Sequence, residues 1–351
     1  MKSLYWDPST IDKIRKGYYS ASYFNKTKEI LLKEKNFQKV TMQIFQKNEN
    51  AILCGVNQVI ELLRIGTGYF KNGQWTSKWK TIEVKHLKDG KVLKNLQPVI
   101  HITGPYAYFA QLESLYLGIL ARQTRIATNA RNIVKTANKK PVLFFADRFD
   151  YFLNQELDGY AANIGGVTNV CTMAQGNWFK AQPVGTIPHS LIAISNGNTI
   201  EAAAKFNKYF PKDNLITLVD FNNNCINQSL EAARKFGDKL WGVRLDTAEN
   251  LVDKSLKNLN EKDNRLHGVN QTLVKMVRKA LDKEGFKKVK IIVSGGFNTN
   301  KITWFEKEKA PVDVYAVGSA MLEGKNDFTA DIVMVNGKPI SKTGRKFITL
   351  R

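Results

Sequence analysis

Three segments in the second half of the chain end an apolar, β-branched run on a small or charged polar residue. They are Trp241–Asp246, Val289–Gly296 and Val314–Ser319. Runs that end in this way, separated by helical stretches, are typical of the catalytic face of an α/β barrel. Glycine at a strand end leaves backbone N–H groups open to an anion. The pattern predicts a cup for a phosphorylated sugar.

Charged residues stand at the same kind of position along this half of the chain. Arg148 and Asp220 each follow an apolar run, and Arg244 and Asp246 lie two residues apart at the end of another. Arginine captures phosphate or carboxylate through its planar fork, whereas aspartate suits ribose hydroxyls or a magnesium ion. One such residue alone is more typical of a surface ion pair, but four at strand ends favour a substrate site.

A histidine and several aromatic residues complete the set of candidates. His189 follows a tight turn and begins the next predicted helix, and the alternative is the structural role that a single histidine more commonly has. Aromatic residues cluster in Gly17–Phe24 and at Phe144–Phe145, ahead of Arg148. Two rings of this kind can hold a planar heterocycle between them, with simple core packing as the alternative.

Composition limits the classes of protein to consider. The chain of 351 residues has 53 Lys and Arg against 31 Asp and Glu, a net charge of +22. The lysines are dispersed, which favours a solvated basic surface over specific nucleic-acid binding. The three cysteines fit neither a disulfide framework nor a zinc site. Asp7 and Asp12 interrupt the N-terminal region, and no apolar run reaches membrane-spanning length, so we expect a cytoplasmic protein without a membrane partner.

The order of strand-like and helical stretches predicts an α/β fold in three segments. Residues 1–138 are expected to form an α/β sandwich domain that ends in a long connecting helix, and residues 139–324 an irregular, incomplete parallel α/β barrel of six or seven strands. Gly185–Ile187 is one of the predicted strands. Residues 325–351 are predicted to form a tail, with a hairpin around Asn336–Gly337, that packs on and completes the first domain.

A set of motifs spread from about residue 14 to residue 345 has a recognisable order. The motifs are Ile14–Phe24, Leu112–Ser114, Phe145–Arg148, Gly185–His189, Val219–Asp220, Gly242–Asp246, Val293–Gly296 and Val317–Ser319. In this order they resemble the motif set of the nicotinate phosphoribosyltransferases, which belong to the type II phosphoribosyltransferase family. The resemblance implies that nicotinate and phosphoribosyl pyrophosphate are condensed to nicotinate mononucleotide and pyrophosphate, a step of NAD salvage.

The resemblance also assigns residues to the base and to the pyrophosphate. The resemblance implies a homodimer with shared active sites. In it, the pyridine ring is expected to lie between Phe145 and a Tyr23 supplied by the other subunit. Arg148 and Arg244 are expected to meet pyrophosphate or the nicotinate carboxylate, and Thr186 is expected to contact substrate. The chemistry agrees with the assignment of arginines, because the negative charge of the departing pyrophosphate must be balanced by nearby cations.

The resemblance also assigns residues to the ribose, to magnesium, to the 5′-phosphate and to ATP. Asp220 and Asp246 are expected to hold the ribose hydroxyls or magnesium. The 5′-phosphate is assigned to the backbone at Ser294, Gly295, Gly296, Gly318 and Ser319. His189 matches the histidine that family members phosphorylate with ATP, so ATP is an expected co-substrate. The predicted catalytic residues are His189, Asp220, Arg244 and Asp246.

The sequence departs from the family pattern at three positions, and other functions compete with this one. Phe149 stands where the family commonly has a second Arg or a His, Ala21 replaces an aspartate, and Ala316 breaks a glycine pair. Within the same fold the base could be nicotinamide or quinolinate. From a different class, a non-catalytic basic barrel would bind nucleic acid through the net charge.

Overall fold

The computed structural model describes residues 3–257, 259 and 264–350. The outer limits of the predicted segments, residues 1 and 351, lie outside these residues. The helices are α1 Pro8–Arg15, α2 Ser22–Lys33, α3 Val56–Gly66, α4 Glu113–Thr136, α5 Gln155–Ile164, α6 Met173–Gly176, α7 His189–Ala193, α8 Thr199–Tyr209, α9 Cys225–Phe236, α10 Gln271–Lys283 and α11 Thr299–Lys307.

The strands divide between the two halves of the sequence, and the final pair comes from the tail. They are β1 Lys39–Gln46, β2 Ala51–Ile52, β3 Gly68–Lys71, β4 Gln74–Ser77, β5 Glu83–His86, β6 Val92–Leu93, β7 Pro98–Pro105, β8 Val142–Phe144, β9 Asn169–Val170, β10 Leu215–Leu218, β11 Leu240–Leu245, β12 Lys290–Val293, β13 Val314–Val317, β14 Phe328–Val335 and β15 Lys338–Pro339. The chain separates into two compact units, residues 1–128 with 324–351 and residues 129–323.

The first unit is built on an antiparallel sheet with the strand order β15-β14-β1-β7-β5. Its apolar core includes Leu62 and Leu63 of α3 and Tyr116 of α4, all fully buried. The tail strand β14 pairs with β1 along the length of both strands, so the predicted completion of the sandwich by the tail is confirmed. Asn336 and Gly337 have φ angles of 47° and 78° and form the predicted hairpin turn between β14 and β15.

The second unit contains a parallel sheet with the order β10-β11-β12-β13-β8-β9. Its strands are buried along most of their length, as expected for a parallel sheet covered on both faces. The predicted fold class, an incomplete parallel barrel with an α/β sandwich, is confirmed. Alternating helices such as α10 cover the sheet with one apolar stripe, and α10 is followed by Gly285 in the left-handed region (φ 88°).

The predicted strand Gly185–Ile187 is wrong in detail, because this stretch has no continuous strand pairing. Val184 donates its N–H to the carbonyl of Val170 in β9, and Ile187 donates to the carbonyl of Ile216 in β10. The short stretch therefore bonds to both edge strands of the sheet. Two single bonds cannot form a ladder, which is why a strand-like composition produces an extended linker here.

No helix in the described part of the chain is both long enough and apolar enough to cross a bilayer.

Candidate functional site

The carboxyl ends of the strands in the second unit open into a pocket with a volume of about 570 Å³. This volume is in the usual range for sites that bind small molecules. The lining residues are Phe145, Asp147, Arg148, Phe149, Cys171, Val184, Gly185, Thr186, Pro188, His189, Ser190, Arg244, Asp246, Ser294, Gly295, Gly296, Phe297, Ala316, Gly318 and Ser319. The pocket thus combines aromatic, cationic, acidic and glycine-rich elements.

The glycine-rich element is the turn that follows β12. Gly295 and Gly296 have φ angles of 86° and 63°, a left-handed conformation that strains residues with a Cβ. Successive N–H groups in such a turn form a concave site for an anion. The second strand end, at Gly318, is also closely packed, since a Cβ there would overlap the Phe149 ring. Glycine is therefore required at both places for a reason that the structure makes explicit.

A charged network joins the ends of β11 and β12. Arg244 Nη1 lies 3.3 Å from Asp246 Oδ2 and donates to Ser294 Oγ at 3.2 Å. Ser294 Oγ is also 2.7 Å from Asp246 Oδ1. Arg244 is only 7 % exposed, and burial lowers the pKa of its guanidinium. The network fixes a buried cation beside a carboxylate, in a position to meet the charges of a substrate.

The same arginine is stacked on an aromatic ring. The Arg244 guanidinium carbon lies 5.4 Å from the centroid of the Phe145 ring. Its Nε is buried without a hydrogen-bond partner within the described chain. A buried donor of this kind is costly unless a ligand or water satisfies it. The ring and the guanidinium both line the pocket, so they offer a stacking surface and a cation to a planar anion.

His189 and Asp220 form a second charged pair in this unit. His189 is the first residue of α7, and its Nε2 lies 3.1 Å from Asp220 Oδ2. The hydrogen bond to Asp220 raises the pKa of the imidazole above its usual value. The Asp220 side chain is 7 % exposed, and its Oδ1 has no hydrogen-bond partner among the described residues. The pair leaves Nδ1 as the ring nitrogen that Asp220 does not engage.

The three departures from the family pattern have clear positions. Phe149 is 49 % exposed, lies against Gly318, and has the Arg148 guanidinium 5.9 Å from its ring centroid. Ala316 is buried in β13 among the apolar side chains inside the sheet. Ala21 precedes α2 and provides no side-chain cap, although its N–H donates to Ser114 Oγ.

Sequence reasoning missed one polar cluster on the pocket wall. Cys171 Sγ lies 3.7 Å from Asp147 Oδ1 and 3.3 Å from Gln175 Oε1. Burial and the nearby Asp147 raise the pKa of the thiol to about 12, so it remains protonated at neutral pH. Asp147 directly precedes Arg148, so its position after the apolar run of β8 could have identified it as a candidate site residue. Cys171 carried no such signal, because β9 has only two residues.

The structure brings most of the predicted site residues together. The predicted residues that line the pocket are Phe145, Arg148, Thr186, His189, Arg244, Asp246, Ser294, Gly295, Gly296, Gly318 and Ser319. Asp220 is reached from His189 by one hydrogen bond. Tyr23 belongs to the first unit, on α2, and is 62 % exposed. The chemical roles of all these residues stay predictions.

The described residues contain no cluster of three or more His, Cys, Asp or Glu side chains that could hold a metal ion. Asp220 and Asp246 nevertheless provide two carboxylates, and Asp220 Oδ1 lacks a partner. Magnesium is commonly held by one or two carboxylates together with substrate phosphates. The donor set, with Asp246 lining the pocket and Asp220 bonded to pocket residue His189, therefore fits a magnesium ion that is also held by phosphate groups.

Comparisons with known proteins agree with this architecture. The family described as quinolinate phosphoribosyl transferase, N-terminal domain, matches residues 22–124. A crystal structure of nicotinate-nucleotide pyrophosphorylase from Pyrococcus furiosus is 31% identical, with a TM-score of 0.81 over 99% of this chain and 82% of that one. Human nicotinic acid phosphoribosyltransferase shares the fold alone, at 14% identity and a TM-score of 0.71 over 93% of this chain and 77% of that chain.

A curated sequence relative gives the same family. The nicotinate phosphoribosyltransferase of Bacillus subtilis is 25% identical over 243 residues, which cover 67% of this chain and 45% of the relative. The chain thus spans about half the length of the curated relatives it matches. The parallel half-barrel and its strand-end pocket define a phosphoribosyltransferase fold. Within that class, the chain belongs to the type II family that includes the nicotinate phosphoribosyltransferases.

Proposed function

We propose that the protein is a nicotinate phosphoribosyltransferase, which condenses nicotinate with phosphoribosyl pyrophosphate and releases pyrophosphate. The observation that carries the proposal is the shared pocket of Phe145, Arg244 and the Ser294–Gly296 turn. The pocket offers an aromatic ring and a cation for an aromatic carboxylate, together with backbone N–H groups for a phosphate. The product would enter NAD synthesis, and we place the reaction in the cytoplasm.

The reaction is a displacement at C1 of the ribose. The pyridine nitrogen of nicotinate forms a bond to C1 while the bond from C1 to the pyrophosphate oxygen breaks. Positive charge develops on the sugar, where the Asp246 carboxylate can stabilise it. Asp220 is hydrogen-bonded to His189, which lines the same pocket. Arg244 and Arg148 balance the negative charge of the leaving group. No covalent bond between the protein and the sugar is required.

Magnesium supports the same step by neutralising pyrophosphate when it binds with the substrate. Asp220 and Asp246 are the residues that would hold it. Arg244 restrains Asp246, so the orientation of that carboxylate is set before substrate arrives.

Nicotinate fits the cations of the pocket better than quinolinate does. Among the lining residues, all of them in the described chain, Arg148, Arg244 and His189 can carry positive charge. Quinolinate has a second carboxylate that would compete with pyrophosphate for these groups, and Phe149 adds a ring where another cation could stand. Yet the matched family bears the name of quinolinate, so quinolinate is the second candidate. Nicotinamide is the third, since it lacks the carboxylate that a cation would bind.

His189 is proposed to couple ATP hydrolysis to the reaction. Its Nε2 faces Asp220, so the Nδ1 atom is the candidate to attack the γ-phosphate of ATP, forming an N–P bond as ADP leaves. The neutral imidazole is the nucleophilic form. Because the Asp220 hydrogen bond raises the His189 pKa, phosphorylation should increase as the pH rises above the usual range for histidine.

The central experiment supplies the purified protein with phosphoribosyl pyrophosphate, magnesium, ATP and one base at a time. Nicotinate should give nicotinate mononucleotide and pyrophosphate, measured by chromatography, and should outcompete nicotinamide and quinolinate. Release of carbon dioxide with quinolinate as the preferred base would favour the second candidate. If no base yields a mononucleotide, the proposal is wrong.

The coupling role is tested with His189→Ala, with His86→Ala as the control from an exposed position in the first unit. His189→Ala should retain nucleotide synthesis but lose ATP stimulation and the phosphorylated protein species seen by mass spectrometry. His86→Ala should change neither. Continued ATP-dependent phosphorylation of His189→Ala would show that another residue accepts the phosphate.

A homodimer is proposed because the chain presents aromatic surface near Tyr23. Helix α2 has no buried residue, and Tyr18, Tyr23 and Ile30 are each at least 60 % exposed. Large exposed apolar side chains in one short segment are typical of a contact with another protein. A second copy of the chain would cover it and place Tyr23 at the partner's pocket.

A further inference from the structure

The Ser294–Gly296 turn is contacted by two opposite charges whose side chains are not part of the proposed reaction. Lys301, in the first turn of α11, donates from Nζ to the carbonyl of Gly295 at 2.9 Å. The same ammonium lies 4.5 Å from the centroid of the Phe297 ring. The lysine is half-buried and therefore held against the turn by a hydrogen bond and by a cation–π contact.

The hydrogen bond to Gly295 fixes the direction of the next N–H group. A trans peptide is planar, so the Gly295 carbonyl and the Gly296 N–H point in opposite directions. The carbonyl is directed at Lys301, and the Gly296 N–H is therefore directed away from it. In a turn of two left-handed glycines this peptide could otherwise flip at low cost. Lys301 thus selects one orientation of the turn.

The second charge is the carboxylate of Glu249, from the loop after β11. A Cβ added at Gly296 would overlap Glu249 Oε1, so the carboxylate occupies the space that only a glycine leaves open. Glu249 and Asp246 act electrostatically on Lys301, although burial has the larger effect and lowers its pKa. The acidic group also places negative potential beside a turn that is expected to hold phosphate.

We propose that Lys301 and Glu249 are positioning residues that set the affinity of the turn for the sugar 5′-phosphate in opposite directions. Lys301 orients the Gly295–Gly296 peptide and adds positive potential, whereas Glu249 repels the phosphate and prevents product from binding too tightly. This inference rests on the proposed function only in that the turn binds a sugar phosphate. It does not depend on the identity of the base.

The experiment measures binding of ribose 5-phosphate by calorimetry and, separately, the kinetics of turnover. Lys301→Met keeps the length of the side chain without its charge and should weaken binding about tenfold, with the same rise in the KM for phosphoribosyl pyrophosphate. Glu249→Gln should tighten binding about threefold, since it removes a repelling charge. Lys301→Arg, which keeps the charge, should restore most of the affinity. In all three variants kcat and the KM for nicotinate should change less than about twofold.

Two exposed residues at the other end of α11 provide matched controls. Lys307→Met and Glu308→Gln make the same chemical changes far along the helix and should leave ribose 5-phosphate binding unchanged. Equal binding by the wild type, Lys301→Met and Glu249→Gln would overturn this inference while leaving the proposed function intact. Failure with nicotinate, together with the opposite shifts in ribose 5-phosphate affinity, would overturn the proposed function alone. No binding of ribose 5-phosphate by the wild type would also overturn this inference, whereas the proposed function is judged separately by mononucleotide formation.

Discussion

The two units of the chain bury charge in different ways. In the first unit, Glu113 lies beside Tyr106, and burial raises the pKa of the carboxyl to about 7, so about half of these groups are protonated and uncharged at pH 7. In the second unit, Arg244 is buried beside Asp246, and opposite charges face each other. Burial thus favours the uncharged form of Glu113, whereas the ion pair beside the open pocket keeps its charges and is available to a charged substrate. Glu113 is therefore a structural group of the first unit, whereas Arg244 and Asp246 are placed for chemistry in the second.

The sheets differ in the same sense. Antiparallel pairing in the first unit distributes strand ends over two edges, while parallel pairing in the second gathers all carboxyl ends at one edge. Polar residues that terminate strands therefore converge in space even when they are far apart in sequence. The pocket is a consequence of strand direction as much as of residue type.

The largest expected effect tests whether the carboxyl edge of the parallel sheet is special. Asp246→Asn should lower kcat by about 10²–10³-fold, because a neutral amide stabilises the developing positive charge poorly. Asp313, which precedes β13 at the opposite edge and pairs with Lys290, gives the matched control Asp313→Asn. Steady-state kinetics should show the loss of kcat in Asp246→Asn and no loss in Asp313→Asn. Comparable losses in both variants would remove the functional distinction between the two edges.

A smaller effect asks whether the first unit takes part in the chemistry of a second copy. Tyr23→Ala should raise the KM for nicotinate by about threefold to tenfold through loss of ring stacking, whereas Tyr209→Ala, the same change at an exposed tyrosine of the second unit, should not. Assayed below the KM for nicotinate, an equal mixture of Tyr23→Ala and Asp246→Asn that has exchanged subunits should reach about 30 % of native activity, because half of the dimers contain one intact site and the Tyr23→Ala homodimers keep part of their activity. A mixture that only averages the two variants would confine the site to one chain.

The smallest expected effect concerns the stability of the first unit. The Glu113 pKa is about 7 in the folded protein and near 4.5 when unfolded, so the folded state binds the proton more tightly. The resulting stability is complete below pH 4.5 and is lost as the pH rises through 7. Glu113→Gln stays neutral and should therefore be more stable than wild type by about 1 kcal/mol at pH 8, after allowance for partial solvent access.

Thermal unfolding at pH 5 and pH 8 measures this difference. The advantage of Glu113→Gln should be small at pH 5 and grow at pH 8, and the exposed change Glu83→Gln should show no such trend. An advantage of equal size at both pH values would mean that the amide packs better and that proton binding is not the cause.

The sequence predicted the strand ends of the second unit well, because burial on both faces produces short apolar runs whose first polar residue marks the end. Arg244, Asp246 and Ser294 were found in this way. The long helix α4 and the Asn336–Gly337 hairpin were predicted from period and turn chemistry. Such signals are local and survive without knowledge of the tertiary structure.

Other parts of the site depend on contacts that leave no local trace. The hydrogen bond from His189 to Asp220 joins residues 31 positions apart, and Lys301 reaches Gly295 from within a helix. Gly185–Ile187 was assigned to a strand because its composition resembles one, but the neighbours that decide strand pairing are distant in sequence. The position of Tyr23 relative to a partner is a property of assembly and lies beyond any single-chain pattern.

The pairing of β1 with both β7 and β14 has a consequence for the order of folding. Strand β1 finds β7 early in synthesis, but β14 is nearly the whole chain away. Until the ribosome has released β14, one edge of β1 is an open template for other strands. Such distant pairing slows folding and prolongs the exposure of that edge. Strand β14 therefore protects an edge of β1 that would otherwise be open, and its removal should make the nascent first unit prone to aggregate.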